Sequence, residues 1–140
     1  MKILMVGGSG HVGTFLTLYI SREHEIRVLD LHDPQHDVEF ARDSIDDPVV
    51  LKEALSCIDA FVTMVMQGGQ EGVERTHTAP QAQSNFAVNC TGLHLLLLTA
   101  FEMKIPCGVH TSTMSVRRYY PSEEDVPMDS PNVYGLTKHF

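Results

Sequence analysis

Short apolar runs alternate along this chain with segments whose apolar residues recur at helical spacing. Lys2-Ile3-Leu4-Met5-Val6 is nearly continuous in apolar character, the pattern of a strand buried on both faces. Val12, Phe15, Leu16, Tyr19 and Ile20 then fall at i, i+3, i+4, i+7 and i+8, which predicts a helix with that stripe inward. Residues 25–30 read as a second strand and Val38 to Ala41 as a short third. Pro48 suits the first turn of a helix carrying Val50, Leu51, Ala54 and Leu55. Residues 59–65 read as a fourth strand, and the polar, glycine-bearing stretch from Gln67 to Thr78 as a mobile loop. A long helix follows from Gln81 to Glu102, apolar nearly all round from Leu93, which predicts burial. Cys107 to Ser112 form a fifth predicted strand, Tyr119 to Pro131 a proline- and acid-rich loop, and Asn132 to His139 the start of a last helix. Strands alternating with helices, without repeat or linker, signify βαβ units. The expectation is one domain over residues 1–140, a doubly wound parallel α/β sheet in strand order 3-2-1-4-5.

Composition narrows the function classes. Of 140 residues, 43% are hydrophobic and 20% charged, so disorder is not expected. Ten Lys+Arg against eighteen Asp+Glu give a net charge of −8, which argues against a nucleic-acid partner. A small anion held by backbone N–H groups is compatible with that charge. The densest apolar stretch, Leu93 to Phe101, is broken by His94 and Thr99 and is too short to span a bilayer, so no membrane partner is expected. The opening residues lack the apolar length of a signal peptide. Cys57, Cys90 and Cys107 are widely spaced and odd in number, which predicts free thiols and a cytoplasmic location. His32, Asp33, His36 and Asp37 fall in a loop interrupted by Pro34 and read as solvated side chains; no metal is expected.

The chemistry concentrates where the first strand becomes the first helix. Gly7, Gly10 and Gly13 stand in Gly-x-x-Gly-x-x-Gly spacing at that junction. Such a turn bends sharply, lets backbone approach a pyrophosphate, and packs the helix closely on the strand. The helix N-terminus then offers unpaired N–H groups and the positive end of its dipole to phosphate. Asp30 ends the second strand 23 positions after Gly7, near the offset of about 20 residues expected for an acid that binds adenosine ribose. Its charge would repel a 2′-phosphate, and Leu31, His32 and Asp33 follow it without an arginine, so NAD is favoured over NADP. The cofactor-binding candidates here are Gly7, Ser9, Gly10, His11, Val12, Gly13, Asp30 and Leu31.

Tyr134 and Lys138 are four apart on the last predicted helix and so share a face. A phenol ordinarily ionises at about pH 10, and a neighbouring ammonium favours the phenolate that a general base requires. Thr111-Ser112-Thr113 closes the fifth strand, at the sheet edge where open α/β folds bind ligands, and can supply a hydroxyl to the substrate oxygen.

These residues together resemble the extended short-chain dehydrogenase/reductase superfamily, in its NAD-dependent epimerase/dehydratase branch, over all 140 residues. The resemblance implies a Rossmann-like sheet and a hydride shuttle, in which tyrosinate takes a proton from a substrate hydroxyl while nicotinamide accepts hydride from the same carbon. It implies Tyr134 and Lys138 as the catalytic dyad, with Thr113 as the catalytic hydroxyl ahead of Ser112. Asn89 and Lys138 are implied near the cofactor, Ser44 and Ile45 beside the adenine, and Met64 along the cofactor's path. The substrate class it implies is a small hydroxylated molecule, a nucleotide sugar being the first choice, and it is compatible with a homodimer.

The sequence departs from the family pattern at several points. Ser44 stands where an Asp is usual, unless Asp43 or Asp46 shifts to fill that role, and the bulk of Met64-Val65-Met66 is expected to narrow the site. Arg117-Arg118 replaces the usual Tyr-Gly, reading either as a contact for a nucleotide-sugar phosphate or as a solvated pair. Met114 and Ser115 replace an acidic pair carried by sugar dehydratases, which lowers that reading. Family members continue well past the dyad, so the expectation is a truncated chain that builds the nucleotide site without a working active site. From a different class, a dinucleotide-binding module without catalysis is the alternative; the presence of Tyr134 and Lys138 argues for the enzyme.

Overall fold

A computed structural model describes residues 1–67, 78–113 and 137–138. Residues 68–77 of the loop expected over Gln67 to Thr78, the loop expected over Tyr119 to Pro131, and the last helix apart from Thr137 and Lys138 lie outside the described residues. The elements run β1 (Lys2–Val6), α1 (His11–Ile20), β2 (Glu25–Asp30), β3 (Glu39–Arg42), α2 (Pro48–Ala54) and β4 (Ala60–Thr63). A continuous helix then comprises α3 (Ala79–Phe86), a π-helical turn (Ala87–Gly92) and α4 (Leu93–Glu102), before β5 (Cys107–His110). All strands pair in parallel in the order β3-β2-β1-β4-β5, as the alternating pattern predicts. The fourth and fifth strands are shorter than expected, ending at Thr63 and His110. Thr111 to Thr113 therefore follow β5 rather than closing it.

Local chemistry explains where the helices begin. Asp47 caps α2 by accepting from the Val49 and Val50 N–H groups, with Pro48 in the first turn where its missing donor costs nothing. Thr78 and Gln81 form a reciprocal capping box at the start of α3. Leu4, Val6 and Leu29 on one sheet face pack against Leu51 and Ala54 of α2 and Leu96 and Ala100 of α4. Ile3, Met5, Ile26 and Val28 on the other face pack against Leu16 and Ile20 of α1. The central strands are thus covered on both faces, whereas β5 at the edge is exposed along its length, and the strand order reverses direction between β1 and β4.

Two burial expectations are corrected. On α1 the inward stripe is Gly13, Leu16, Thr17 and Ile20, whereas Val12, Phe15 and Tyr19 are 63%, 67% and 69% exposed. Both stripes have helical spacing; the close approach of Gly13 to the preceding turn rotates the helix onto the one that begins with glycine. On α4, Leu96, Thr99 and Ala100 are buried while Leu97, Leu98 and Phe101 are exposed. One sheet face takes only one side of the helix, which leaves Leu97, Leu98 and Phe101 on the exposed side. The 24 residues Ala79–Glu102 are long and apolar enough to cross a membrane, but here Leu96 and Ala100 pack in the sheet core and Asn85 and Asn89 are buried.

Arg27 staples the amino-terminal side of the sheet. Its Nη1 donates to the carbonyls of Glu53, Ala54 and Ser56 at the end of α2, at 3.2, 2.7 and 2.8 Å. Glu39 accepts from Arg27 Nε at 2.8 Å and pairs with Lys2 Nζ at 2.6 Å. Hydrogen bonds from Arg27 and then Lys2 hold the Glu39 carboxyl below the usual glutamate range. A lowered folded value means the unfolded chain binds the proton first. Glu39 therefore contributes stability above the ordinary value of about 4.3, and the contribution is lost as pH falls through the folded value. The Glu39 side chain is 47% exposed, so Glu39→Gln is expected to cost only about 0.5–1 kcal/mol near pH 7. Urea denaturation across pH should show that difference shrinking towards zero on the acid side.

Candidate functional site

The turn from β1 into α1 is built by steric necessity at two glycines and freedom at a third. Gly7 has φ +81°, and a Cβ there would lie 2.7 Å from the Val65 nitrogen. A Cβ on Gly13 would lie 2.3 Å from the Gly7 oxygen, so the first turn of α1 rests directly on the bend. Gly10 differs: φ is −67°, and its Cβ would meet only the Gly7 oxygen at 3.4 Å, an ordinary contact. Protein packing does not demand glycine at position 10, whereas a ligand resting on the backbone there does. The helix starts without a side-chain cap and without an acid in its first turn. The His11, Val12 and Gly13 N–H groups and the positive dipole end are therefore left for an anion. Ser9 Oγ, in the same turn, is buried without a hydrogen-bond partner.

Asp30 closes the turn from the side. Its Oδ2 accepts from Ser9 N–H at 3.0 Å and its Oδ1 from His32 N–H at 3.1 Å. Its side chain is 13% exposed, with lone pairs remaining for a ligand hydroxyl. A cleft of about 150 Å³ opens beside it, lined by Gly7, Asp30, Leu31, Ser44, Ile45, Val65, Met66 and Gln67, among others. It lies at the carboxyl ends of β1, β2 and β4, where the strand order reverses. Donors, acid and glycine surface together fit the adenosine and pyrophosphate portion of a dinucleotide. Met64 does not line this cleft; it packs against the core beneath α1, and its neighbours Val65, Met66 and Gln67 form the wall.

Asn89 holds that wall from behind. Its Oδ1 accepts from Gln67 N–H at 3.0 Å, while Nδ2 donates to Gln67 O at 2.8 Å and Thr137 Oγ1 at 3.0 Å. The amide is filled by protein partners, so it positions the cleft rather than facing it. The π-helical turn aims it: Asn89 and Gly92 are both buried there, and a Cβ on Gly92 would meet Ile45 Cγ2 at 2.5 Å. Lys138 Nζ donates to Val65 O at 3.0 Å, two residues earlier in the same wall. Burial pushes the Lys138 ammonium pKa down, with Cys90 opposing. Burial pushes the Cys90 thiol up, and its Sγ donates to Thr137 O at 3.3 Å. Burial, then the Lys138 charge, push the His110 imidazole down. Thr113 follows β5 at the same sheet edge, and Tyr134 lies outside the described residues, as do Arg117 and Arg118. Val65 and Gln67 contribute through backbone atoms, which carry no residue signature for sequence reading to find.

A doubly wound sheet with this turn and this acid is a Rossmann-like domain. The NAD dependent epimerase/dehydratase family matches residues 3–140, and the chain belongs to that family. A short-chain dehydrogenase/reductase superfamily protein from Agrobacterium tumefaciens, solved with bound NAD, superposes with a TM-score of 0.84 at 24% identity, over 99% of this chain and 42% of its own. A UDP-glucose 4-epimerase superposes at 0.85 with 20% identity, over 99% of this chain and 44% of its own. The UDP-glucose 4-epimerase of Thermus thermophilus, in complex with NAD, gives 0.78 at 22%, with coverage of 99% and 47%. At these identities the likeness is one of fold. The chain spans less than half the length of these three structures. No curated protein sequence matches it.

The turn yields a paired prediction. Gly10→Ala should cost no more than about 1 kcal/mol of stability yet weaken dinucleotide binding, because its methyl group would project over the open helix start where a pyrophosphate would rest. Gly13→Ala, driven into the Gly7 carbonyl, should cost about 2–3 kcal/mol or more. Thermal melts with and without NAD separate the two effects. Asn89→Ala, which strands the Gln67 N–H and carbonyl, should lower the melting free energy by about 2–3 kcal/mol.

Proposed function

We propose that this chain is the nucleotide-binding half of an NAD-dependent oxidoreductase or epimerase acting on a hydroxylated substrate, with a nucleotide sugar as the substrate class. The observation that carries the reading is the glycine turn itself: Gly10 is left open over an uncapped helix start, with the Asp30 carboxylate fixed beside it. The turn would hold the pyrophosphate through the α1 N–H groups, and Asp30 the adenosine ribose through its free lone pairs. Leu31, Ser44 and Ile45 would flank the adenine. When bound, the nicotinamide supplies a two-electron hydride acceptor.

The chain's own residues would then orient the substrate and move its proton. Lys138 already lies at the sheet edge, reaching Val65 O. Thr113 would hold the substrate oxygen and Tyr134 would exchange its proton, with the Lys138 charge favouring the phenolate. The UDP-glucose 4-epimerases of similar fold support the choice of nucleotide sugar. Residues 1–140 would act as one nucleotide-binding domain, and the free Cys57, Cys90 and Cys107 support a reducing, cytoplasmic setting.

Equilibrium dialysis tests the reading on the chain as it stands. NAD should bind saturably, and Asp30→Ala should weaken it by at least about tenfold, the scale of losing hydrogen bonds to a charged acceptor. No uptake of NAD by the folded wild-type chain would overturn the proposal.

A further inference from the structure

Sequence order hides an arginine that the sheet brings to the ribose acid. β2 and β3 pair in a register that sets Arg42 opposite Asp30. Val28 and Phe40, each two residues earlier, both belong to the core beneath α1, so Asp30 and Arg42 leave the sheet on that same face. Both terminal nitrogens of the guanidinium have partners there. Nη1 donates to Leu31 O at 3.2 Å, Nη2 pairs with the Asp33 carboxylate, and Cζ lies 5.6 Å from the Phe40 ring centroid. Leu31 is the residue directly after the ribose acid, and it lines the cleft. Of the other described arginines, Arg27 is committed to the carbonyls ending α2 and Arg22 lies beyond the far end of α1.

We infer that Asp33 sets the choice between NAD and NADP by occupying Arg42. The inference rests on the dinucleotide reading above and deepens it. Asp30 alone is a weak barrier to a 2′-phosphate when an arginine stands in the neighbouring register position, because a guanidinium matches phosphate geometry through two parallel hydrogen bonds. Asp33 closes that route twice, by taking Nη2 and by adding a negative charge to the loop. The lock is shallow: the side chains are 56% and 73% exposed, and pairs so open to water are held weakly. The neighbouring carboxylate of Asp43 accepts instead from Ser44 N–H, at 2.8 Å, and the ion pair of Arg42 is with Asp33. A single substitution at position 33 is therefore enough to release the arginine towards the ribose.

Titration calorimetry with NAD and NADP on the full chain tests this in wild type, Asp33→Asn, and Asp33→Asn combined with Arg42→Gln. Asp33→Asn should tighten NADP binding by roughly tenfold, the scale of one charge-assisted hydrogen bond, and leave NAD within about twofold. Adding Arg42→Gln should return NADP to the wild-type value. Asp33→Ser replaces Asp33→Asn should the latter fail to fold, with the same expected result. An unchanged NADP-to-NAD ratio overturns the inference, as does a gain that survives Arg42→Gln. A wild-type chain that binds neither dinucleotide overturns the reading of the cleft itself, a result distinguishable from the first because no ratio then exists.

Discussion

Backbone crowding at the carboxyl end of β1 is the constraint on which the rest of the structure depends. Gly7 lies so close to Val65 that no side chain fits between them, and Gly13 lies as close to Gly7. Two backbone hydrogen bonds fasten the same point, Gly7 N to Leu29 O at 2.9 Å and Met64 N to Val6 O at 2.8 Å. The bend, the start of α1 and the segment after β4 consequently form one rigid body. The rotation of α1 follows from it, and so does the exposure of Val12, Phe15 and Tyr19. The direction in which the uncapped N–H groups point is fixed by the same contact.

The segment after β4 is reached from three sides. Gly7 presses on Val65 from the turn, Lys138 grips the Val65 carbonyl, and Asn89 grips both backbone groups of Gln67. A shift of residues 65–67 would strain the turn, the π-helical bulge and the lysine contact together. Buried amides left without partners are costly, and here each has one. The residue expected to touch a cofactor, Asn89, thus matters by holding the surface that a cofactor would meet.

Fold and turn were legible in the sequence because both rest on local rules. Continuous apolar runs mark strands covered on two faces, Pro48 marks a helix start, and Gly7 and Gly13 mark a close approach. Relations set by register were not legible. Arg42 stands opposite Asp30 across a strand pair, twelve positions away in sequence, and no motif encodes that. Helix rotation was misjudged for a related reason. The apolar stripe through Val12, Phe15 and Tyr19 satisfies helical spacing as well as the buried one does, and the choice between them is made by a glycine that hydrophobicity does not weigh. The exposed side of α4 shows the same limit: an apolar helix lying on one sheet face buries only the side that touches it.

A chain with a net charge of −8 can still favour a pyrophosphate, because the relevant field is local. The first turn of α1 carries no acid, so its dipole end is uncompensated where it meets the cleft edge. The nearest carboxylate, Asp30, is held by the Ser9 and His32 N–H groups, which draw its charge towards the turn that fixes it. Ser9 therefore joins the anion-facing backbone to the hydroxyl-facing acid through a single hydrogen bond. The turn and the acid are thereby linked, so a ligand that met the one would be in register with the other. The exposed loop after β2 lies at the rim, where a substitution would leave the crowded bend beneath it undisturbed.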